Sequence, residues 1–259
     1  MPPTLTLHTE DLLQEAAPRS GWVWRAVESQ HYPATRRLVR SHSDQERLEA
    51  LLEQSKPAYP AGTEQLDYLL KTPFRYRPPN PNGSRFRRPF SPYGVFYAAE
   101  AIHTALAEFA FHRFRFFFVS EGTEPPAQEA QLTVFSAGYR TSLGLDLTAG
   151  NLATHRALWT DPTDYSATQS LGETAAQAGI GAVRYESVRA PGTDDQGRGA
   201  GRNVGILDPA VFQPRHHCSP QAWYLYLGEQ EANARRAFAN PDEQLTFPKT
   251  VFQMPGPAG

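Results

Sequence analysis

Residues 83–108 read GSRFRRPFSPYGVFYAAEAIHTALAE, and this stretch passes from a loop through a strand into a helix. Its first part is rich in Pro, Gly, Ser and Arg, which favours irregular backbone. Gly94–Ala98 (GVFYA) has the short apolar run of a buried strand. From Glu100 to about Phe117 the spacing predicts a helix with one apolar face, formed by Ile102, Ala105, Leu106, Phe109 and Ala110.

Upstream of this stretch, the sequence predicts one strand and two helices. Gly21–Val27 (GWVWRAV) alternates aromatic and aliphatic residues, as a strand does. Ser43–Gln54 has leucines at helical spacing, with Ser43 as the N-cap of a capping box. A short helix is expected at Glu10–Glu15. Residues 55–93 are rich in Pro, Asn and Gly, and are predicted to be mostly loop.

Downstream, the sequence predicts one helix and four strands. The helix is Thr160–Gly179, with Asp161 or Asp164 as its N-cap and Gly179 as its C-terminal glycine. A Gly- and Asp-rich loop spans Pro191–Gly201. The strands are Leu132–Ala137, Gly181–Glu186, Asn203–Asp208 and Trp223–Leu227.

The order of these elements indicates the fold class. Helices and short strands that do not alternate strictly predict an α+β fold, in which a central mixed or antiparallel sheet is flanked by helices. The sequence contains no internal repeat and no low-complexity linker. We therefore expect a single domain at residues 21–230, preceded by an N-terminal arm (1–20) and followed by a C-terminal tail (231–259).

The composition is that of a folded protein. Of the 259 residues, 40% are hydrophobic, which suffices for a core. The net charge of −2 gives no electrostatic reason to expect a nucleic-acid or membrane partner. The single cysteine, Cys218, excludes an intrachain disulfide and fits a reducing compartment. Asp11 and Glu15 interrupt the apolar stretch near the N-terminus, so no signal peptide is expected and the protein is expected to be cytoplasmic.

Common nucleotide, metal and hydrolase motifs are absent from the sequence. It contains no phosphate-binding loop of the G-x-x-x-x-G-K-[ST] type, no H-E-x-x-H and no G-x-S-x-G. The glycines of Gly197–Gly201 precede a predicted strand, whereas a dinucleotide fingerprint follows one. His216, His217 and Cys218 are adjacent, which is not the spacing of a metal site, so no metal is expected.

Three charged side chains each allow a structural and a functional interpretation. Glu108 lies on the predicted helix beside Thr104 and Phe111, away from the main apolar face; it is either an exposed helix residue or a site residue. Arg85 is either a solvated loop residue or a guanidinium that grips phosphate. Arg25 lies in an aromatic strand, where its charge requires an ion pair or a ligand.

Two neutral residues allow the same two interpretations. Tyr97 alternates with Phe96 in a short strand, so it is either a core aromatic or a ligand contact. Ser187 follows a predicted strand and is either a turn former or a hydrogen-bonding site residue. No base lies beside Ser187 in the sequence, so a role as nucleophile is not expected.

Taken in order, WRAV, GSRF, GVFYAAE, TALAE and RYESVR carry Arg25, Arg85, Tyr97, Glu108 and Ser187. Together with WTDPTDYSATQSL, AGIGAVRYESVRAP, NVGILDP and QAW, these stretches resemble the RES domain family, which is named for its Arg, Glu and Ser residues. The resemblance runs from about Trp24 to about Leu227 and covers most of the chain.

The resemblance implies a fold related to the ADP-ribosyltransferase toxins and an enzyme whose substrate is NAD⁺. The implied activity is cleavage of the nicotinamide–ribose bond, with water or inorganic phosphate as acceptor and without a metal or a further cofactor. It also implies the toxin half of a bacterial toxin–antitoxin pair, with a cognate Xre-like antitoxin that occludes the pocket. Two alternatives remain open: transfer of ADP-ribose to a protein target, and a non-catalytic nucleotide-binding protein.

The implied catalytic set is Arg85, Tyr97 and Glu108. Glu108 is expected beside the ribose, where a fixed carboxylate stabilises an oxocarbenium-like transition state. Arg85 and Arg25 are expected on the phosphates or the ribose. Tyr97 is expected to contact nicotinamide by stacking or through its hydroxyl, and Ser187 to bond the carboxamide or the ribose. Two weaker matches, expected to line the pocket, are Asn203 and Gln221.

Overall fold

The computed structural model describes residues 7–29, 38–75, 83–119, 123–190, 201–217, 220–238 and 243–252. Within these ranges the chain forms six α-helices and one nine-stranded sheet. The helices are α1 (Thr9–Glu15), α2 (His42–Ser55), α3 (Tyr68–Arg75), α4 (Ile102–Val119), α5 (Arg156–Trp159) and α6 (Ser166–Gln177). The strands are β1 (Ala17–Glu28), β2 (Phe96–Ala99), β3 (Ala130–Asp146), β4 (Ala182–Glu186), β5 (Arg202–Ile206), β6 (Phe212–His217), β7 (Gln221–Leu227), β8 (Glu231–Arg236) and β9 (Gln244–Pro248).

The sheet is mixed, and part of it closes on itself. Its strand order is β1-β2-β5-β4-β3-β7-β8-β9; β1 also pairs with β3, so that five strands form a closed ring, and β6 pairs with β3 as well. Trp24 lies where the ring closes, since it pairs with Ala99 of β2 and with Ser136 of β3. Among the described strands only the β3–β4 pairing is parallel. The predicted α+β fold with a central mixed sheet is confirmed.

Three clusters of buried apolar side chains hold the helices against the sheet. The first joins α4 to β7, β8 and β9, and the second packs α3 against β1, β2, β3 and β5. The third joins α1, α5 and α6 to β3 and β4. Representative members of the three are, in turn, Phe114 and Trp223, Phe74 and Phe96, and Leu12 and Leu171.

Helix α4 occurs close to its predicted position and packs one long side on the sheet. Ala105 and Leu106 of the predicted apolar face are buried, whereas Phe109 is only half-buried. The buried surface is wider than the sequence pattern predicts, because Thr104 and Phe111 are buried as well. The side of the helix that carries Glu108 therefore faces protein rather than bulk solvent.

Upstream of residues 83–108, one predicted helix cap is wrong and one helix was not predicted. The N-cap of α2 is Ser41 rather than Ser43, since the Ser41 hydroxyl accepts the backbone N–H of Asp44 at 3.1 Å. The described part of residues 55–93 is mostly loop, as predicted, but it also contains α3, which was not predicted. Its side chain Phe74 is buried in the second cluster, and this packing outweighs the cost of a proline inside the helix.

Helix α6 begins later than the predicted Thr160–Gly179. The Asp161 carboxylate accepts the backbone N–H groups of Thr163 and Asp164, and the Asp164 carboxylate accepts that of Ser166; the N-cap position falls at Tyr165, so neither aspartate is the N-cap. Its predicted C-terminal glycine is confirmed, since Gly179 adopts a φ of 70°, which favours glycine. The chain before α6 is thus an ordered loop, residues 160–165, named here the α5–α6 loop.

Most predicted strands are present, and the sheet contains more strand than was predicted. β3 extends the predicted Leu132–Ala137 to Asp146, because its polar second half continues to pair with β1 and then with β4. The strands β6, β8 and β9 were not expected. The β8–β9 hairpin lies in the stretch 231–259 assigned to a tail, and it pairs with β7. The division into arm, domain and tail itself stays a prediction.

Some predicted features lie outside the described residues. These are the loop Pro191–Gly201 apart from Gly201, the proline-rich residues 78–82, and Cys218. In the part of the chain that the structure describes, no helix combines the length and the apolar character needed to cross a membrane.

Candidate active site

A cavity of about 640 Å³ lies between β1, α4 and the loops that precede β2 and follow β4. Its volume is in the range of small-molecule binding sites. Five of the seven side chains predicted for the site line this cavity, namely Arg25, Arg85, Tyr97, Glu108 and Asn203. The other two, Ser187 and Gln221, are not among the described residues that line it.

Glu108 is held at the cavity through one of its two carboxylate oxygens. Its Oε1 atom accepts hydrogen bonds from the Ser187 hydroxyl at 2.7 Å and from Asn203 Nδ2 at 2.6 Å. Among the described residues no donor binds Oε2. The carboxylate is therefore fixed in direction while one oxygen remains available to a ligand.

Ser187 is buried behind this carboxylate. Its side chain is 1% exposed, and its hydroxyl accepts the backbone N–H groups of Arg189 and Ala190 while donating to Glu108. The sequence offered a turn former and a ligand contact as alternatives. The structure gives Ser187 the geometry of a turn former and brings it to Glu108 rather than to the cavity.

Asn203 completes this arrangement from the adjacent strand. It lies on β5, opposite Ala99 of β2 and Tyr185 of β4. It is buried, and its Nδ2 atom reaches Glu108. The register of three strands thus determines where the second donor to Glu108 stands.

Arg25 lies on β1, and its charge is not neutralised by an ion pair with any described residue. Its Nη1 atom donates to the Tyr97 carbonyl at 2.8 Å, and its guanidinium lies over the Phe96 ring at 4.9 Å. Burial lowers the pKa of Arg25 to about 10, so the group is still charged at neutral pH. Of the two sequence interpretations, the structural ion pair is not observed.

Arg85 is buried, which excludes a solvated loop residue. Its Nη1 and Nη2 atoms donate to the carbonyls of Trp159 at 2.7 Å and Asp161 at 3.1 Å. Its guanidinium also lies over the Tyr165 ring at 4.6 Å. Backbone carbonyls of α5 and the α5–α6 loop therefore orient the charge of Arg85 at the cavity.

Tyr97 is tied to the loop that carries Arg85. Its hydroxyl accepts the backbone N–H of Phe86 at 3.0 Å and shares a hydrogen bond of 2.8 Å with the Ser84 hydroxyl. Its ring is stacked against Phe86 at 6.3 Å. Burial raises the pKa of the Tyr97 phenol, so the hydroxyl remains protonated at neutral pH. The residue links β2 to residues 83–91, named here the Arg85 loop.

Gln221 lies elsewhere on the sheet. It is the first residue of β7, opposite Val134, and its Oε1 atom accepts the Trp223 Nε1–H at 3.1 Å. The structure does not bring it to the described lining of the cavity.

The structure adds residues that the sequence analysis missed. Arg189 and Tyr165 line the cavity and touch each other, since Arg189 Nη2 lies 3.3 Å from the Tyr165 hydroxyl. Both occur in the quoted stretches RYESVR and WTDPTDYSATQSL, which was the available signal. The exposed rim side chains His112 and Arg115 follow Glu108 on the same face of α4.

The cavity carries an excess of positive charge. Its described lining has four arginines and two glutamates, and one of the glutamates, Glu28, already pairs with Arg113 outside the lining. Such a cavity attracts an anionic ligand, while Glu108 supplies a fixed negative charge where positive charge develops. Within the described residues there is no group of three or more His, Cys, Asp or Glu that is arranged to hold a metal ion.

Of three comparisons with known proteins, the one with family models agrees with the sequence resemblance. The model of the RES domain family matches residues 57–227. A search of curated proteins gives no match. Among solved structures, a chain of the M. tuberculosis MbcT-MbcA toxin–antitoxin complex matches with 15% identity and a TM-score of 0.43, covering 80% of this chain and 90% of that one.

Proposed function

The chain belongs to the RES domain family, and from this premise we propose that it cleaves the nicotinamide–ribose bond of NAD⁺. The observation that carries the proposal is the Glu108 carboxylate, fixed through Oε1 and open at Oε2, in a cavity lined by arginines. NAD⁺ carries two negative phosphates as well as the nicotinamide–ribose bond that breaks. Its cavity therefore needs positive charge for the phosphates and a negative charge at the ribose.

In the proposed reaction the bond from the ribose C1′ to the nicotinamide nitrogen breaks, and its electron pair leaves with neutral nicotinamide. Positive charge then grows on C1′ and the ring oxygen, and the Glu108 carboxylate stabilises that charge. Water attacks C1′ and loses a proton, giving ADP-ribose; attack by an oxygen of inorganic phosphate gives ADP-ribose phosphorylated at this same carbon. The residues supply charge and position, without a metal or a further cofactor.

We further propose that the chain is the toxin of a bacterial toxin–antitoxin pair and acts on the cytoplasmic NAD⁺ pool. A cognate Xre-like antitoxin with its own DNA-binding module would neutralise it by covering the cavity. An antitoxin lying over the mouth of the cavity would contact the exposed rim residues His112 and Arg115.

The test is incubation of the purified chain with NAD⁺, with and without inorganic phosphate and with and without cell lysate. Free nicotinamide together with ADP-ribose or its phosphorylated form is the expected result. Label from NAD⁺ retained on a lysate protein would indicate ADP-ribosyl transfer instead. Binding of NAD⁺ without any loss of it would indicate a non-catalytic protein.

The Glu108→Gln variant tests the role of the carboxylate, because the amide keeps the size of the side chain and removes its charge. We expect at least about a hundredfold loss of turnover, as for removal of an electrostatic stabiliser. The variant is also expected to lose growth arrest at equal expression. If it still turned over NAD⁺ at the wild-type rate, Glu108 would not be the catalytic carboxylate.

A further inference from the structure

Arg189 is a buried cation at the cavity with unsatisfied hydrogen-bonding capacity. Its side chain is 4% exposed, and its guanidinium lies over the Phe111 ring at 3.6 Å. Its Nη2 atom donates to the Pro162 carbonyl at 2.8 Å and to the Tyr165 hydroxyl at 3.3 Å. Its Nη1 atom is buried and has no hydrogen-bond partner among the described residues.

Arg189 shares Tyr165 with a second buried cation, Arg85. The Arg85 guanidinium lies over the Tyr165 ring, while Arg189 reaches the hydroxyl of the same side chain. Neither guanidinium forms a salt bridge with a carboxylate among the described residues. Two like charges placed together away from water raise the free energy of the empty protein, and a bound anion would relieve this repulsion.

The surroundings of Arg189 lower the pKa of its guanidinium. Burial lowers its pKa, and the charge of Arg85 acts in the same direction, although Tyr165 and Glu108 oppose them. The group stays protonated at neutral pH, because an arginine begins from a very high value. Its charge is therefore present and only partly compensated.

The end of α5 and the α5–α6 loop hold both guanidiniums in fixed directions. Carbonyls of Trp159 and Asp161 bind Arg85, and the carbonyl of Pro162 binds Arg189. Three backbone carbonyls within residues 159–162 thus orient two planar donor groups before any ligand arrives. Preorganised guanidinium forks match the geometry of phosphate oxygens.

We propose that Arg189, together with Arg85 and Tyr165, forms a phosphate-binding subsite at the cavity, named here the anion subsite. The inference rests on the proposed function and deepens it, because it assigns Arg189 and Tyr165 to substrate recognition. The phosphate oxygens it binds come from one of two sources, the pyrophosphate of the dinucleotide or an inorganic phosphate that acts as acceptor.

The first experiment measures anion binding without any chemistry. Inorganic pyrophosphate is titrated calorimetrically into the wild-type chain and into Arg189→Ala, Arg189→Lys and the control Arg140→Ala, whose arginine is exposed on β3. We expect the affinity to fall at least about tenfold in Arg189→Ala, since a hydrogen bond to a charged group is lost. Arg189→Lys should bind with intermediate affinity, because it keeps the charge but not the fork, and Arg140→Ala should bind like the wild type.

A second measurement tests the anion subsite even if the alanine variant does not fold. Inorganic pyrophosphate should raise the Tm of the wild-type chain, and raise that of Arg189→Lys by less, because a ligand that binds only the folded state stabilises it. Equal binding by the wild type and both Arg189 variants would overturn the anion subsite. Absence of pyrophosphate binding to the wild type would overturn it as well.

The kinetics of NAD⁺ cleavage by Arg189→Lys show whether the anion subsite binds the dinucleotide or inorganic phosphate. A KM for NAD⁺ that rises equally with and without inorganic phosphate assigns the subsite to the dinucleotide. Loss of stimulation by inorganic phosphate, at an unchanged KM for NAD⁺, assigns it to the acceptor. If the wild type bound pyrophosphate through Arg189 but left NAD⁺ intact, the subsite would stand and the proposed function would fail.

Discussion

At the residue scale, the candidate site depends on small polar side chains that orient larger charged ones. Ser187 gives one hydrogen bond to Glu108 and accepts two from the backbone of the following turn. Asn203 donates to the same carboxylate oxygen from β5. The buried Asn203 Oδ1 atom has no partner among the described residues, so the Glu108 contact is the one that fixes this side chain. The charge of Glu108 is thus placed at the cavity by two smaller polar side chains.

The Tyr97 hydroxyl also positions a charged side chain, because it binds the loop that carries Arg85. In Tyr97→Phe the backbone N–H of Phe86 loses its acceptor, which should cost about 1–3 kcal/mol of the free energy of unfolding. Because the Arg85 loop is then less well held, the KM for NAD⁺ should rise several-fold while kcat changes little. Denaturant unfolding and steady-state kinetics measure the two effects, with the exposed Tyr226→Phe as control.

The opposite kinetic result would assign a different role to Tyr97. A large fall of kcat at constant KM would place the Tyr97 hydroxyl in the chemical step, as the sequence resemblance implies. Unchanged stability and kinetics would mean that its hydrogen bonds to Phe86 and Ser84 do not position Arg85.

At the scale of elements, the Arg85 loop is positioned by close contact with helix α6. A Cβ atom added at Gly172 of this helix would lie 2.2 Å from the carbonyl oxygen of Phe86. The same carbonyl accepts the Tyr93 hydroxyl at 2.9 Å, so it cannot move without breaking that hydrogen bond. The absence of a side chain at Gly172 lets α6 support the loop directly.

This contact predicts the effect of Gly172→Ala. Alanine is the better helix former by about 1 kcal/mol, but the clash with the Phe86 carbonyl should cost about 1–3 kcal/mol or more. We therefore expect a net loss of stability, and a raised KM for NAD⁺ because the neighbouring Arg85 shifts. Gln177→Ala, at an exposed position of the same helix, is the control for helix propensity. A Gly172→Ala variant more stable than the wild type would refute the tight contact.

At the scale of the whole molecule, the C-terminal residues support the site from behind. Phe252 is 3% exposed, and its ring packs against Phe111 at 5.9 Å and against Phe114 at 5.6 Å. Phe111 in turn carries the Arg189 guanidinium on its face. A residue at the far end of the described chain thus belongs to the layer beneath the anion subsite.

Phe252→Ala should therefore destabilise the fold strongly. Removal of a buried phenylalanine costs about 3–5 kcal/mol of the free energy of unfolding. Val251→Ala, at the neighbouring and more exposed position, should change it by about 0.5 kcal/mol at most. Urea unfolding of the two variants beside the wild type provides the comparison. Similar small losses in both would show that the C-terminal segment does not contribute to the core.

The ion-pair network around Asp146 should make stability depend on pH. Burial raises the pKa of Asp146, but hydrogen bonds from Thr148 and the charges of Arg184 and Arg19 outweigh it, so the pKa lies below its ordinary value. A carboxylate of this kind stabilises the folded state above the unfolded pKa of about 3.9, and the contribution is lost as the pH falls through the lower folded value.

Asp146→Asn tests this dependence. At pH 7 the variant should be less stable by about 1–3 kcal/mol, because Arg19 loses its charged partner. The difference from the wild type should shrink as the pH falls below about 4 and through the lower folded pKa, below which Asp146 is neutral in both the folded and unfolded chains. Urea unfolding at several pH values measures it. A difference independent of pH would exclude the charge of Asp146 as its cause.

The fold was largely predictable where the signal is local. The alternation in β1, the apolar face of α4 and the glycine that ends α6 all follow from patterns within a few residues. The strand β8 escaped prediction because its buried residues are the small Ala232 and Ala234, which carry little hydrophobic signal, and β9 because Phe247 is its single buried residue. The helix α3 escaped because a proline-rich neighbourhood concealed its apolar residues.

The candidate site was predictable in part. Arg25, Arg85, Tyr97, Glu108 and Asn203 were proposed on the strength of a family resemblance, and the structure places all five at one cavity. Gln221 was misplaced because the pairing of β7 with β3, which no local pattern encodes, carries it elsewhere. Arg189 and Tyr165 stand in quoted stretches but were missed, because contact between a guanidinium and an aromatic side chain produces no sequence pattern of its own.

The sequence alone was enough to specify the family, the helices and strands around residues 83–108, and the residue types available for chemistry. The helices and strands were predictable because periodicity and turn composition act over short distances. The sequence was not enough to specify which groups meet. Glu108 lies 79 and 95 residues from the two donors that hold its carboxylate, and only the closing of the strand ring brings β4 and β5 to α4. Such contacts arise from sheet register and core packing, which are properties of the folded chain as a whole.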